Sequence, residues 1–142
     1  MNESNLWSLS ATELRHAYVK RRLSPVEVLE CYLGRITTLN PQVTAFHLLM
    51  EEKALLSAKK SEERWLRASP LGLLDGIPTA IKDGLFMSGI PIYRGSLANN
   101  AKSNIPTTNA PVVDRMIASG AIILGKTTMC DYGMLASGYS SK

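Results

Sequence analysis

Polar and apolar residues recur along this chain with two different periods, and the change between them divides it. Up to about residue 67 the apolar positions fall three and four apart, the spacing of one helical face. Ser10-Ala11-Thr12-Glu13 has the form of a capping box, and Leu14, Ala17, Tyr18 and Arg21 then share a face, which predicts a helix over about 11–22. Ser24-Pro25-Val26-Glu27 starts a second helix, with Val26, Leu29, Leu33 and Ile36 as its stripe and Asn40-Pro41 as its expected end. Val43 to Leu49 fits either a short strand or the lead-in to the next helix. Glu51 to Arg67 predicts an amphipathic helix. Its apolar side is Ala54, Leu55, Ala58, Trp65 and Leu66, and its charged side, Glu52 to Arg64, is expected to be a solvated face with i,i+4 pairs.

From Gly76 the period shortens to two. Ile77, Thr79 and Ile81 share one face of a strand, and Pro78, Ala80 and Lys82 share the other, with Gly76 and Gly84 bracketing the run. A glycine-rich, irregular stretch follows to about Asn104, where a loop over a site is one reading and a plain tether the other. Thr107 or Thr108 is expected to cap a helix over about 109–119 that ends at Gly120. Ala121-Ile122-Ile123-Leu124 is too continuously apolar for a half-exposed strand and predicts a buried one. Strand, connection, helix, strand is the βαβ order, so the fold class is α/β.

Composition narrows the function classes. The chain has 142 residues, 45% of them hydrophobic and 20% charged, as in a globular domain or a piece of one. Its net charge of +4 is modest, and the cluster Arg15, Lys20, Arg21 and Arg22 is not interleaved with aromatic residues in the manner of a strand-binding surface, since the one tyrosine within it, Tyr18, falls on the apolar face, which argues against nucleic-acid binding. Cys31, Cys130, His16 and His47 stand apart without ligand spacing, so neither a metal nor a disulfide framework is indicated. A reducing cytoplasm follows as the expected location, since the polar, acidic Met1 to Asn5 does not read as a secretory signal and no apolar run is long enough to span a bilayer.

Lys82 is the main candidate for chemistry. It stands where a strand gives way to a loop, the usual place for working residues in α/β proteins, although most lysines there are solvated charges, and the adjacent Asp83 could neutralise it. Residues 120–127 satisfy the phosphate-loop expression Gly-x-x-x-x-Gly-Lys-Thr, yet Ala-Ile-Ile-Leu in the middle makes a strand and not a nest of amides, so nucleotide binding is declined. Ser96 follows a glycine but lacks a nucleophile elbow, and is expected to hold a turn.

The wording of residues 70–83, Pro-Leu-Gly-Leu-Leu-Asp-Gly-Ile-Pro-Thr-Ala-Ile-Lys-Asp, resembles the corresponding block of the amidase signature family. The likeness continues in order through Gly95-Ser96, Pro106 to Val113, Gly120 to Met129 and Asp131 to Met134, covering the second half of the chain closely and the first half loosely. It implies the N-terminal part of the amidase-signature fold, with a helical region over 1–69 and, over 70–142, the start of a mixed sheet covered by helices. It also implies that Lys82 matches the base of a Ser-cisSer-Lys triad, that no cofactor is needed, and that Tyr132, Gly133 and Met134 run beside the substrate cleft. A hydrophobic loop packed under the sheet is the plainer reading of those three.

The two triad serines of the family lie further along than these residues. Ser140 and Ser141 lack the flanking glycines and are not assigned that role. The expectation is therefore an amidase acting on a small-molecule amide, incomplete within this stretch. Two alternatives stand beside it: the glutamine-amidase subunit of a tRNA-dependent amidotransferase, and a silent homologue serving as an interaction module. A homodimer stays open. Asn109 replaces an aspartate common in the family, which leaves any capping or charge role there unassigned.

Overall fold

Two reciprocal caps start the helical part of this computed structural model, which describes residues 3–99 and 104–134. In α1 (Ala11–Val19) the Glu13 amide donates to Ser10 Oγ at 3.3 Å, and the Ser10 amide donates to Glu13 Oε2 at 2.8 Å. In α2 (Pro25–Val43) the Glu27 amide donates to Ser24 Oγ at 3.1 Å and the Ser24 amide to Glu27 Oε2 at 2.7 Å. Both starts sit where the capping boxes place them because the pattern is local. The ends differ. Helix α1 stops at Val19, short of residue 22, because Arg21 adopts a left-handed φ of 52° and sends its guanidinium to the Leu66 carbonyl.

Helix α2 runs through Pro41 instead of ending there. A proline in the last turn forgoes only one backbone bond. The helix closes at Thr44, a left-handed cap whose amide donates to the Asn40 carbonyl at 2.7 Å. Asn40 then bonds Phe46 in both directions, at 2.9 and 2.8 Å, and so leads the chain into the first strand. A 3-10 turn over Glu3–Ser8, which periodicity did not predict, precedes α1 and inserts Leu6 beside Leu14, Tyr18, Val28, Trp65 and Ile77.

The sheet has three strands, β1 (Phe46–Leu49), β2 (Pro78–Lys82) and β3 (Ile122–Thr127), in the order β1-β3-β2. Strand β3 is antiparallel to β1 and parallel to β2. The ambiguous segment before α3 (Glu51–Leu66) is thus a strand, and it belongs to the same sheet as the later ones. Between β2 and β3 lies α4 (Pro111–Ala118), which starts at Pro111 with Ala110 as its N-cap and no side-chain cap. Thr107 and Thr108 do not cap it. A proline already fixes φ for the first turn and lacks the amide that a cap would satisfy.

Helices cover both faces of β3. Ile122 and Leu124 pack on Leu29, Ala54 and Ala58 of α2 and α3, while Ile123 packs with Ile81, Met87 and Val113 on the α4 side. That double burial explains the uninterrupted apolar run. The strand continues past residue 124 to include Gly125, Lys126 and Thr127. A bulge at Leu124 makes this possible. The register steps from Thr79↔Ile123 to Ala80↔Gly125, so Leu124 has no partner on β2 and the next pair is Ile81↔Lys126. The extra residue turns Lys126 to the face of Ile81, away from the face of Ala80 and Lys82.

Gly125 lets β1 approach closely. A Cβ built on it would run into the Leu48 carbonyl and come within 3.0 Å of the Leu49 Cα. Gly125→Ala is expected to destabilise the protein by about 1–3 kcal/mol through overpacking between β1 and β3. Thermal unfolding checks this, and an unchanged midpoint would contradict it. Among the described residues no helix is long and apolar enough to cross a membrane.

Candidate active site

Lys82 ends β2, paired with Thr127, and its side chain is exposed. It continues the face on which Pro78 and Ala80 line an apolar groove of about 410 Å³ between the sheet and α2, with Tyr32, Ile36 and Leu39 opposite. The strand therefore presents an amine at its carboxyl end, beside an uncovered apolar surface. In open α/β sheets ligands sit outside the carboxyl ends of strands.

Asp83, the next residue, does not neutralise Lys82. Its carboxylate is buried and turned the other way. Oδ1 lies 3.2 Å from His47 Nε2 and 3.6 Å from Lys126 Nζ, and Oδ2 accepts from the amides of Tyr93 at 3.1 Å and Gly95 at 3.4 Å. Lys126 is fully buried, and its ammonium also donates to the Leu85 carbonyl at 2.6 Å and the Asp83 carbonyl at 3.4 Å. The lysine of the phosphate-loop expression thus serves the segment after Lys82, from within a strand. Burial lowers the Lys126 pKa and Asp83 opposes that shift. The sequence reading missed this cluster because its members come from β1, the β2 end and β3. His47 did not stand alone.

Residues 131–134 are brought to the same loop. They form a 3-10 turn, Asp131–Gly133, followed by Met134, with Tyr132 and Gly133 both at positive φ. The Tyr132 amide donates to the Arg94 carbonyl at 2.8 Å and its hydroxyl to Asn99 Oδ1 at 3.1 Å. A Cβ on Gly84 would lie 3.4 Å from Met129 Sδ and one on Gly133 3.6 Å from Met129 Cε, so Met129 bridges the turn and the loop after Lys82. Tyr132 and Met134 are exposed there, at 46% and 84%, and are not packed under the sheet. Ser96 is buried in a turn whose amide bonds the Tyr93 carbonyl at 3.1 Å. Asn109 accepts from the Ser88 amide at 2.7 Å and donates to Asp114 at 2.8 Å, tying the loop to α4. Ser140 and Ser141 lie outside the described residues.

A second buried carboxylate holds the entry to β2. Asp75 accepts from Arg64 Nε at 2.8 Å and Nη2 at 2.6 Å, from Ser61 Oγ at 2.6 Å and from the Leu71 amide at 2.8 Å. Arg64 thus leaves the solvated face assigned to it. The Tyr18 hydroxyl donates to the Gly76 carbonyl at 2.9 Å, and burial pushes that phenol well above its ordinary range.

Burial alone would raise Asp75 and Asp83. Hydrogen bonds from Arg64 and Ser61 hold Asp75 below the ordinary 3.8, and the close approach of His47, the charge of Lys126 and the Gly95 amide do the same for Asp83. A folded pKa below the unfolded one gives stability that is present above the unfolded value and lost as pH falls through the folded one. The melting temperature should therefore fall as pH drops below about 4, and Asp75→Asn should flatten that fall. A pH series of thermal melts on both proteins checks it.

A mixed sheet with helices on both faces defines an α/β protein, and Lys82 stands at the carboxyl end of its parallel edge strand. The chain belongs to the amidase family, whose model matches residues 27–141. Its curated relatives include glutamyl-tRNA(Gln) amidotransferase A subunits. It is 36% identical over 130 residues to the one from Alkaliphilus metalliredigens, covering 91% of this chain and 26% of that protein. The one from Protochlamydia amoebophila is 34% identical, covering 93% and 27%. Among solved structures, native peptide amidase from Stenotrophomonas maltophilia superposes with a TM-score of 0.81 at 26% identity, covering 91% of this chain and 26% of that one. A protein in a vestigial complex related to an s-triazine catabolic enzyme gives 0.80 at 27% identity, covering 87% and 27%. The chain spans about a quarter of the length of these relatives.

Proposed function

We propose that these residues are the N-terminal portion of an amidase that hydrolyses the C–N bond of a small-molecule carboxylic amide, with Lys82 as its base. The observation that carries this is the placement of Lys82 at the carboxyl end of β2, exposed beside the groove. Two serines outside residues 1–142 would complete the triad. One serine hydroxyl attacks the amide carbonyl while its proton passes to the second serine, whose own proton goes to the neutral Lys82 amine. The proton returns to the departing amine, and water then cleaves the acyl-serine ester. A serine hydroxyl is a weak nucleophile until a base takes its proton, which is why the amine must be close and neutral. Tyr132, Gly133 and Met134 are assigned to the cleft wall.

The test assays the full-length gene product for release of ammonia or amine from simple carboxamides, with wild-type protein and with Lys82→Ala. Turnover retained in a folded Lys82→Ala protein would overturn the assignment. A second reading is favoured by the identities of 34–36% with the amidotransferase relatives, against 26–27% with the amidase and s-triazine-related structures above. On that reading the chain is the glutaminase part of a tRNA-dependent amidotransferase. Co-purification with a second subunit, together with glutamine hydrolysis that depends on ATP, would favour it over a free amidase.

A further inference from the structure

We propose that Lys126 is the positioning residue of Lys82: its buried ammonium clamps the three residues that follow Lys82, and with Asp83 it forms a balanced charge pair on the opposite side of the strand. Among the described residues the polar contacts of the Lys126 ammonium go to that segment, namely the carbonyls of Asp83 and Leu85 and the Asp83 carboxylate. The bulge at Leu124 makes this possible, since without it Lys126 would share a face with Leu124 and point toward α2 and α3. Asp83 passes the constraint on through the Tyr93 and Gly95 amides to the loop that bonds the Tyr132 amide. The charged and titratable groups facing the pair are His47 from β1, 3.2 Å from Asp83, with Tyr93 set edge-on against the His47 ring. A fully buried lysine is costly unless paired, so its presence calls for a function that an apolar residue would not serve.

The pair also fixes the field at Lys82. Together Asp83 and Lys126 nearly cancel, and removing either leaves the other unbalanced within a few ångströms of the β2 end. Loss of the cation then leaves a net negative charge beside the β2 end, and loss of the anion a net positive one. The proposal rests on Lys82 as base, but its test does not require amide hydrolysis.

Acylation of the folded protein by acetyl N-hydroxysuccinimide at pH 8, read by peptide mass spectrometry, reports how available the free amine of Lys82 is, with the exposed Lys59 of α3 as internal reference. Relative to Lys59, Lys126→Met should slow Lys82 acylation about threefold and Asp83→Asn should speed it about threefold. Lys126→Arg should restore the wild-type ratio. A merely structural role would loosen the β2 end in both variants and move the ratio the same way. Should Lys126→Met fail to fold, the isosteric Asp83→Asn and the charge-keeping Lys126→Arg carry the test. Ratios that stay at wild type, or that move together, overturn the proposal. A change in labelling without amide hydrolysis by the wild type would sink the amidase reading alone.

Discussion

On the amidase reading, Lys82→Ala in the full-length protein should lose amide hydrolysis by about three to six orders of magnitude, the order of loss expected when one member of a catalytic unit is removed. That corresponds to about 4–8 kcal/mol of transition-state stabilisation. The same change should leave folding nearly untouched. Lys82 is exposed, and among the described residues it enters no ion pair, so the cost should stay within about 0.5 kcal/mol. Lys82→Arg separates charge from basicity. A guanidinium keeps the cation but cannot be neutral at any working pH, so this variant should fold and still fail to turn over. The checks are kcat and a melting curve on each variant, and an active Lys82→Arg protein would mean that Lys82 acts as a cation and not as a base.

The second large effect concerns stability. Asp75→Ala should destabilise the protein by about 3–5 kcal/mol, the cost of leaving one half of a buried ion pair uncompensated. The carboxylate is wholly buried and meets both forks of Arg64, Ser61 and the Leu71 amide, while its carbonyl accepts from Trp65 Nε1 at 3.2 Å. Removing it strands a guanidinium only 19% exposed. Gly120 faces the same carboxylate so closely that a Cβ there would lie 2.7 Å from Asp75 Cγ, and its φ of 87° already disfavours a side chain. Asp75→Asn should cost less, because it keeps the shape and part of the hydrogen bonding. Urea unfolding measures both, and a loss below about 1 kcal/mol for the alanine variant would show that Arg64 finds other partners.

How far the sequence discloses this protein depends on the range of the interaction that decides each feature. The starts of α1 and α2 were legible, because Ser10 with Glu13 and Ser24 with Glu27 settle them within one turn. The end of α2 was not, since the left-handed Thr44 and the Asn40–Phe46 pair outweigh the proline. The position of Lys82 at a strand end followed from period and glycine brackets, and the βαβ order from element sequence. The orientation of Lys126 did not, because one unpaired residue at Leu124 reverses the faces after it and no local pattern marks the bulge. Arg64 looked like a surface charge for the same kind of reason. Its partner lies 11 residues away, across a helix end and a turn.

The strand order has a consequence for how the chain acquires its sheet. Strand β3 lies between the other two but is the last of these three to be synthesised, and β1 and β2 have no ladder with each other. Helices α1 to α3 can form as they emerge, whereas β1 must wait through more than seventy further residues for a hydrogen-bonding partner. When Ile122 to Thr127 appears, it supplies both ladders and the apolar filling of both helical layers at once. The two carboxylates and Lys126 then become buried in the same event. The nascent chain should therefore behave as a set of helices with loose ends until β3 pairs with both β1 and β2.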